Sequence, residues 1–257
     1  GFHFMCFKST FKTHKMKAEN VSIVICCFNS ASRLPETIKH LMAQKVPDGL
    51  KWELIVVDNA STDNTAQVAR SLWFDDAPAP LRIVREPVPG LSHARRRGFD
   101  EARYELISFI DDDNWVAPNW VRLVSEIMTA HPEVGACGGQ SEAVFETEPP
   151  DWFEEHAANF VVGRQGDKAG DVTWSRGNLW GAGLTIRKQA WADLVEKGFQ
   201  PILSGRIGSK LSSGEDYEIC YALRLAGWRL RYSDELAFKH FMPTSRLSIP
   251  YLSKLKA

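Results

Sequence analysis

The chain has 257 residues, of which 44% are hydrophobic and 25% charged, and its formal net charge is −1. This length can bury the core of one α/β domain. The balanced charge argues against nucleic acid as a partner, because duplex-binding domains usually carry a basic excess. No apolar run approaches the roughly 20 residues that a membrane-spanning helix needs.

The cysteines and the N-terminal segment indicate where the protein works and where its domain begins. The five cysteines form no CxxC pair. This is expected in a reducing compartment, so we predict a cytoplasmic location. Residues 1–15 lack a secretory pattern, and Met16 lies shortly before the first predicted strand. We therefore predict that residues 1–19 are an N-terminal extension, extraneous to the domain or disordered.

Strand and helix signals alternate through the first half of the sequence, which is typical of a parallel sheet wound with helices. Residues 21–28 form a continuous apolar run, as in a strand buried on both faces. The signals that follow predict, in chain order, a helix at 34–42, a strand at 52–57, a helix at 64–73, a strand at 81–85, a helix at 91–102 and a strand at 104–110.

The second half is less regular. Apolar residues at helical spacing predict a helix over 120–128, which stops at His131-Pro132. Residues 141–180 combine Pro149-Pro150 and several glycines with weak periodicity. A strand at 181–187, helices at 191–197 and 215–226, and a strand at 228–241 follow. Residues 251–257 look like a helix cut short.

An acidic triplet, Asp111, Asp112 and Asp113, directly follows the strand predicted to end at Ile110. In open α/β sheets, ligands bind in the crevice outside the carboxyl ends of the strands. Carboxylates crowded there repel one another, and Mg²⁺ or Mn²⁺, which prefer oxygen ligands, relieve that repulsion. The triplet favours a divalent-cation site, and the alternative is a polar junction between strand and loop.

Charged residues also lie at the starts of other predicted helices. Asp58 ends the second predicted strand, so it could reach the same ligand or, like Asp63, cap the next helix. The arginines at 95–97 follow a glycine turn at Gly90. A helix N-terminus with arginines suits a phosphate group, and the alternative is a solvated basic helix face.

Two later positions carry the remaining candidates. Glu215 and Asp216 begin the helix predicted after Gly214. Acids in a first helical turn complement the helix dipole, so the pair could simply stabilise that helix end. His240 lies at a strand exit among aromatic residues, where it is either packed in the core or a metal ligand.

Taken together, these segments resemble the family 2 glycosyltransferases of the GT-A fold. The matching segments are 21–29, 55–63, 90–98, 109–114 (the DxD region), 214–216 and 240–247, in the order that the family has. The resemblance implies a single α/β domain with a Rossmann-like, mostly parallel sheet flanked by helices and a less regular acceptor-binding half. Residues 20–140 would bind the nucleotide sugar, and residues 141–257 would hold the acceptor and the catalytic base.

The resemblance also implies an activity and a role for each matched residue. The activity is inverting transfer of a sugar from a nucleotide-diphosphate sugar to an acceptor hydroxyl, with Mn²⁺ or Mg²⁺. Arg96 departs from the pattern, because relatives often have Asn there. The implied residues are Asp216 as catalytic base; Phe28, Asn29, Asp58, Arg95, Asp111 and Asp112 for the nucleotide sugar; Asp111, Asp113 and His240 for the metal; and Trp180, Gly181 and Glu215 for the acceptor.

Two other functions remain open at this point. Phosphotransferases of the haloacid dehalogenase type also end a strand in DxD, but on their first strand, whereas these acids follow the fourth predicted strand. A non-catalytic nucleotide-sugar-binding module is the second alternative. For a glycosyltransferase we expect a glycan or lipid-linked acceptor, with peripheral association at the inner face of the membrane in the lipid-linked case. Tryptophans in 141–180 would contact the acceptor, since indole faces suit the apolar faces of sugars.

Overall fold

The computed structural model describes residues 18–74, 76–203, 205–206 and 214–256. Most of the predicted extension at 1–19 lies outside the described residues. Glu19 already contacts the domain through an ion pair with Arg187. In the ranges that are described, no helix is both long enough and apolar enough to cross a membrane.

The first half folds as the alternation predicts. Strands β2 and β4 are buried along their whole length, which agrees with their continuous apolar sequences. The strands pair in parallel in the order β3-β2-β1-β4. The elements are β1 Val21–Cys27, α1 Leu34–Met42, β2 Trp52–Asn59, α2 Thr65–Leu72, β3 Leu81–Glu86, α3 Leu91–Glu101 and β4 Leu106–Ile110.

The second half continues the same sheet in the order β4-β8-β6-β9-β5, with β7 paired to β9. Among the described strands of this half, β6 and β9 pair in parallel and the other pairs are antiparallel. The elements are β5 Asn114–Val116, α4 Trp120–Ala130, β6 Val134–Phe145, α5 Phe153–His156, β7 Gly170–Asp171, β8 Thr185–Arg187, α6 Lys188–Glu196, α7 Glu215–Leu225, β9 Arg229–Met242 and α8 Ile249–Lys256.

The α/β single-domain fold class is therefore confirmed, with a mixed sheet. Parallel pairing dominates the first four strands, as expected. It gives way at β8, because this short strand runs antiparallel to both β4 and β6. The predicted strand at 181–187 is reduced to Thr185–Arg187, since Gly183 has a φ of 70° and belongs to a turn.

The 12-residue strand β6 is the main element that the pattern did not predict. Its glycines weaken the strand signal, yet one of them is required. A Cβ on Gly139 would lie 1.8 Å from the carbonyl oxygen of Leu236 on β9. The pairing of β6 with β9 shifts register at this point. Because β9 carries His240, the close approach of these two strands also positions a predicted site residue.

The hydrophobic core divides into three clusters, two of them large. The third cluster joins the irregular segment to the C-terminal helix through Phe153, Phe160, Met242 and Leu252. A 3-10 turn at Ala157–Phe160 belongs to it. This packing holds α8 beside the carboxyl edge of the sheet, where Leu255 reaches the cleft described next.

Candidate active site

A cleft of about 390 Å³ opens at the carboxyl ends of β1 and β4. Its walls come from both halves of the chain, so segments far apart in sequence share one surface. The predicted residues that line it are Phe28, Arg95, Asp111, Asp112, Asp113, Trp180, Gly181, Glu215, Asp216 and His240. The convergence of acids and bases in one concave site is what a ligand-binding centre requires.

Asn29 and Asp58 are not among the residues that line the cleft. The Asn29 side-chain oxygen accepts a hydrogen bond from the Thr62 backbone N–H at 2.8 Å, and Asn29 has a φ of 50°. Asp58 Oδ1 accepts from the Ser61 backbone N–H at 3.2 Å. Both side chains order the loops after β1 and β2. Their direct contact with a nucleotide stays a prediction.

Each of the last two acids of the triplet has its own arginine. Asp112 accepts from Arg33 Nη2 at 2.6 Å, and Asp113 accepts from Arg246 Nη2 at 2.7 Å. Burial alone would raise the pKa of Asp113, but His240 and Arg246 hold this pKa well below its usual range. Burial raises the pKa of Asp112, and the neighbouring Asp113 raises it further, against the opposing charge of Arg33.

Asp111 differs from its two neighbours, because no described residue donates a hydrogen bond to its carboxylate. Its backbone N–H donates to the Asn114 side chain at 3.2 Å, which fixes the turn into β5. Burial raises the pKa of Asp111, the charge of Asp113 adds to the effect, and Arg95 opposes it. A carboxylate held in the cleft without a protein donor is available to a ligand.

His240 is packed and also faces the acids. It lies on β9 opposite Asn114 of β5, and its ring is buried. Its Nε2 is 3.5 Å from Asp113 Oδ1 and 3.3 Å from Arg246 Nη1. In the described part of the chain, its Nδ1 has no hydrogen-bond partner.

The predicted metal ligands do not form a ligand set in this arrangement. Among the described residues, no group of three His, Cys, Asp or Glu side chains is placed to hold a metal ion. The physical reason is the Arg246 guanidinium, which contacts both Asp113 and His240. One cationic group therefore already lies where the two predicted ligands converge.

Arg95 of α3 lies in the wall of the cleft. Its side chain is 6% exposed, and its Nη1 is 3.2 Å from Glu215 Oε1. A Cβ on Gly181 would lie 2.3 Å from Arg95 Nη2, so only glycine leaves room for the guanidinium there. Burial raises the pKa of both Asp111 and Asp216, and the charge of Arg95 opposes this rise. Glu215 is thus an ion-pair partner of Arg95 as well as a predicted acceptor residue.

Asp216 is held with its carboxylate in the cleft. Its Oδ2 accepts from the Gly181 backbone N–H at 2.9 Å, and its Oδ1 accepts from the Tyr217 N–H at 3.0 Å. Burial raises the pKa of Asp216, and Arg95 opposes this rise. The contact with Gly181 ties α7 to a distant loop, which a residue acting only on its own helix end would not do.

Sequence reasoning missed three basic residues that line the cleft: Arg33, Arg206 and Arg246. A usable signal was present. Three adjacent carboxylates at the end of a buried strand need compensating cations, and Arg33 and Arg246 each follow a predicted strand end at the same edge. Trp180 lines the cleft as predicted, but it is 5% exposed, and Arg176 lies 5.1 Å over its ring.

The pair of Arg95 and Glu215 should behave as a buried, coupled ion pair. We predict that Arg95→Met lowers the free energy of unfolding by about 3–5 kcal/mol, because it leaves Glu215 buried without a counter-charge. The double variant Arg95→Met, Glu215→Gln should lose less free energy of unfolding than the sum of the losses in the two single variants. Denaturant unfolding of the wild type, the two single variants and the double variant gives the coupling energy between Arg95 and Glu215.

A matched control is the exposed pair of Arg122 and Glu126, whose atoms are 2.6 Å apart. Arg122→Met should change stability by less than about 1 kcal/mol, as surface pairs do. Additive effects at Arg95 and Glu215 would contradict the account of this wall.

Comparison with known proteins assigns the family. Residues 22–192 match glycosyl transferase family 2. The succinoglycan biosynthesis protein ExoM of Rhizobium meliloti is 25% identical over 91% of this chain and 71% of its own length. The glucosyl-dolichyl phosphate glucuronosyltransferase of Haloferax volcanii is 21% identical over 90% of this chain and 72% of its own.

A solved structure shares the fold. S. aureus TarS 1-349 in complex with UDP superposes with a TM-score of 0.62 at 16% identity, over 88% of this chain. The chain spans 61% of the length of that structure. Together with the family match, this confirms the expected GT-A fold. The chain belongs to glycosyl transferase family 2 and is a glycosyltransferase.

Proposed function

We propose that this glycosyltransferase moves a sugar from a nucleoside-diphosphate sugar to an acceptor hydroxyl with inversion at the anomeric carbon. The observation that carries the proposal is the shared cleft, in which Asp216 and the acidic triplet line one surface. The UDP complex of S. aureus TarS supports a nucleotide donor for this fold. A non-catalytic binding module is disfavoured, because it would not need a buried carboxylate tied into the cleft like Asp216.

Asp216 is the general base in this proposal. The acceptor oxygen forms a bond to the anomeric carbon while the bond from that carbon to the diphosphate oxygen breaks. Asp216 takes the hydroxyl proton, and the nucleoside diphosphate leaves with the bonding electron pair. One displacement from the opposite face inverts the configuration. The Gly181 N–H holds one carboxylate oxygen, and Arg95 favours the ionised base against the effect of burial.

Arginines serve the leaving group. Negative charge develops on the diphosphate as the bond breaks, and fixed cations in a partly desolvated cleft stabilise that charge. Arg33, Arg206 and Arg246 line the cleft, and guanidinium groups bind phosphate oxygens in a bidentate manner. Phe28, which also lines the cleft, offers a face on which the nucleobase can stack.

A divalent metal requirement belongs to the same proposal. Carboxylate and imidazole groups suit Mn²⁺ or Mg²⁺, and a bound ion would neutralise charge on the diphosphate. In the structure the Arg246 guanidinium contacts both Asp113 and His240. We therefore propose that Asp111, Asp113 and His240 accept the ion only once the Arg246 guanidinium has left Asp113.

The acceptor and the location are inferred from relatives. The Haloferax volcanii protein is named for glucosyl-dolichyl phosphate, which supports a lipid-linked glycan as one acceptor class. A cytoplasmic enzyme that works at the inner face of the membrane would fit such an acceptor. The name of the Rhizobium meliloti protein, which refers to succinoglycan biosynthesis, supports a glycan acceptor in the same way.

The first test concerns Asp216. Asp216→Asn keeps the shape and removes the proton acceptor, so transfer should fall about 10²-fold or more, the usual scale for general-base loss. Donor affinity should stay near that of the wild type. Because the base must be ionised and burial raises the pKa of Asp216, the wild-type rate should fall as pH drops through that raised pKa. Near-normal turnover of Asp216→Asn would refute the role.

The second test separates the metal from Arg246. We predict that Arg246→Gln binds Mn²⁺ several-fold more tightly than the wild type, because the competing guanidinium is gone, and that Asp113→Ala binds it much more weakly. Titration calorimetry with Mn²⁺ alone measures both without any activity assay. If Arg246→Gln gains no Mn²⁺ affinity, the guanidinium does not compete with a metal ion for Asp113, and the proposed metal site is rejected.

A further inference from the structure

The tryptophans of the irregular segment occupy different environments. Trp152 packs against the third hydrophobic cluster, and Trp180 is 5% exposed in the wall of the cleft. Trp174 is 70% exposed, although an indole ring is the largest apolar side chain. Its position beside α7 therefore needs a reason other than packing within the fold.

Helix α7 carries two more exposed rings on the same side. Tyr217 and Tyr221 are four residues apart, so they lie on one face of the helix, and they are 44% and 52% exposed. Tyr217 follows the proposed base Asp216 directly and lines the cleft. The row of rings therefore begins inside the cleft and continues outward along α7.

Arg224 joins this row to Trp174. Its guanidinium carbon lies 4.8 Å from the Trp174 ring centroid and 5.2 Å from that of Tyr221. Its Nη1 donates to the Gly177 carbonyl oxygen at 3.1 Å, which anchors the turn that holds Trp174. Gly177 has a φ of 79°, and a Cβ there would lie 2.7 Å from Arg224 Nη1. These contacts hold the Trp174 and Tyr221 rings beside the Arg224 guanidinium.

We propose that Trp174, Tyr217 and Tyr221 form a platform that binds an oligosaccharide acceptor longer than one sugar unit. This proposal rests on the proposed function and extends its acceptor site. Arg224 lies over the Trp174 ring and so marks the outer end of the platform. From Tyr217 to Arg224 the helix rises about 10 Å, which exceeds the length of a single hexose ring. A chain bound along the platform would place its terminal hydroxyl at the inner end, beside Asp216.

The chemistry of the platform favours a glycan over other partners. Aromatic faces contact the C–H faces of sugar rings, and their polar edges hydrogen-bond the hydroxyl groups. The guanidinium between Trp174 and Tyr221 offers further donors to hydroxyl oxygens. A lipid chain would instead favour a surface without a charged group at its centre. Continuity with the cleft that holds Asp216 also selects the acceptor over an unrelated protein.

The test uses an array of defined oligosaccharides probed with the labelled full chain. We expect the wild type to bind at least one oligosaccharide of two or more units. The combined variant Trp174→Ala, Tyr221→Ala should bind it about tenfold or more weakly. Trp174→Phe, which keeps a ring, should recover most of the binding. Phe74→Ala removes a ring that is 60% exposed but follows α2 rather than lying along α7, and it should bind as the wild type does.

Two results would overturn the platform: no oligosaccharide bound by the wild type, or unchanged binding by the combined variant. Both positions are exposed, so thermal unfolding should confirm that the variants fold. The proposed function is tested separately by wild-type hydrolysis of a panel of UDP-, GDP- and dTDP-sugars. Hydrolysis without a platform effect rejects only the platform, and an absence of hydrolysis rejects the proposed function whatever the array shows.

Discussion

The site depends on one buried cation, the guanidinium of Arg95. It is paired with Glu215, and its charge lowers the pKa of Asp111 and Asp216 against the effect of burial. Without it, ionised carboxylates from two distant parts of the chain could not share one desolvated cleft. Gly181 makes room for this guanidinium, and its N–H holds Asp216, so the same glycine serves the cation and the proposed base.

The acidic triplet is also compensated by arginines, but here two of the three carboxylates have an arginine of their own. Arg33 neutralises Asp112, and Arg246 neutralises Asp113, so two acids of the triplet are satisfied within the protein. Asp111 is influenced by Arg95, His240 and Arg206 through their charge alone. The pairings at Asp112 and Asp113 stabilise the strand end, and Asp111, whose carboxylate accepts no hydrogen bond from the described residues, is the acid most available to a ligand. A metal ion would have to compete with Arg246 for Asp113.

The sequence predicted the parts of this molecule that local patterns determine. Continuous apolar runs predicted β1, β2 and β4, and the alternation of strands and helices predicted that these strands pair in parallel, although it did not predict their order. Strand β6 was missed because its glycines, such as Gly139, are required by contact with β9, and that contact is invisible in a local window. Motifs, in the order that the family has, identified the candidate site residues, among them the triplet, Arg95, Asp216 and His240.

What the sequence could not give is which charges pair. Arg33 and Arg246 are separated from their carboxylate partners by long stretches of chain, and only the tertiary fold brings them together. Asn29 likewise meets Thr62 of a neighbouring loop only in the folded chain. Asp58 makes the local contact with Ser61, and neither side chain lines the cleft. The exposure of Trp174 likewise depends on the fold, because nothing in its local sequence distinguishes it from the buried Trp180.

The central claim is a single displacement assisted by Asp216, and the anomer first released tests it most directly. When water replaces the acceptor, the wild type should hydrolyse an α-linked UDP-sugar. A ¹H NMR time course then follows the anomeric proton of the free sugar before it mutarotates. The account predicts that the β-anomer appears first. Initial release of the α-anomer would show retention of configuration and would contradict a mechanism in which Asp216 acts only as a base.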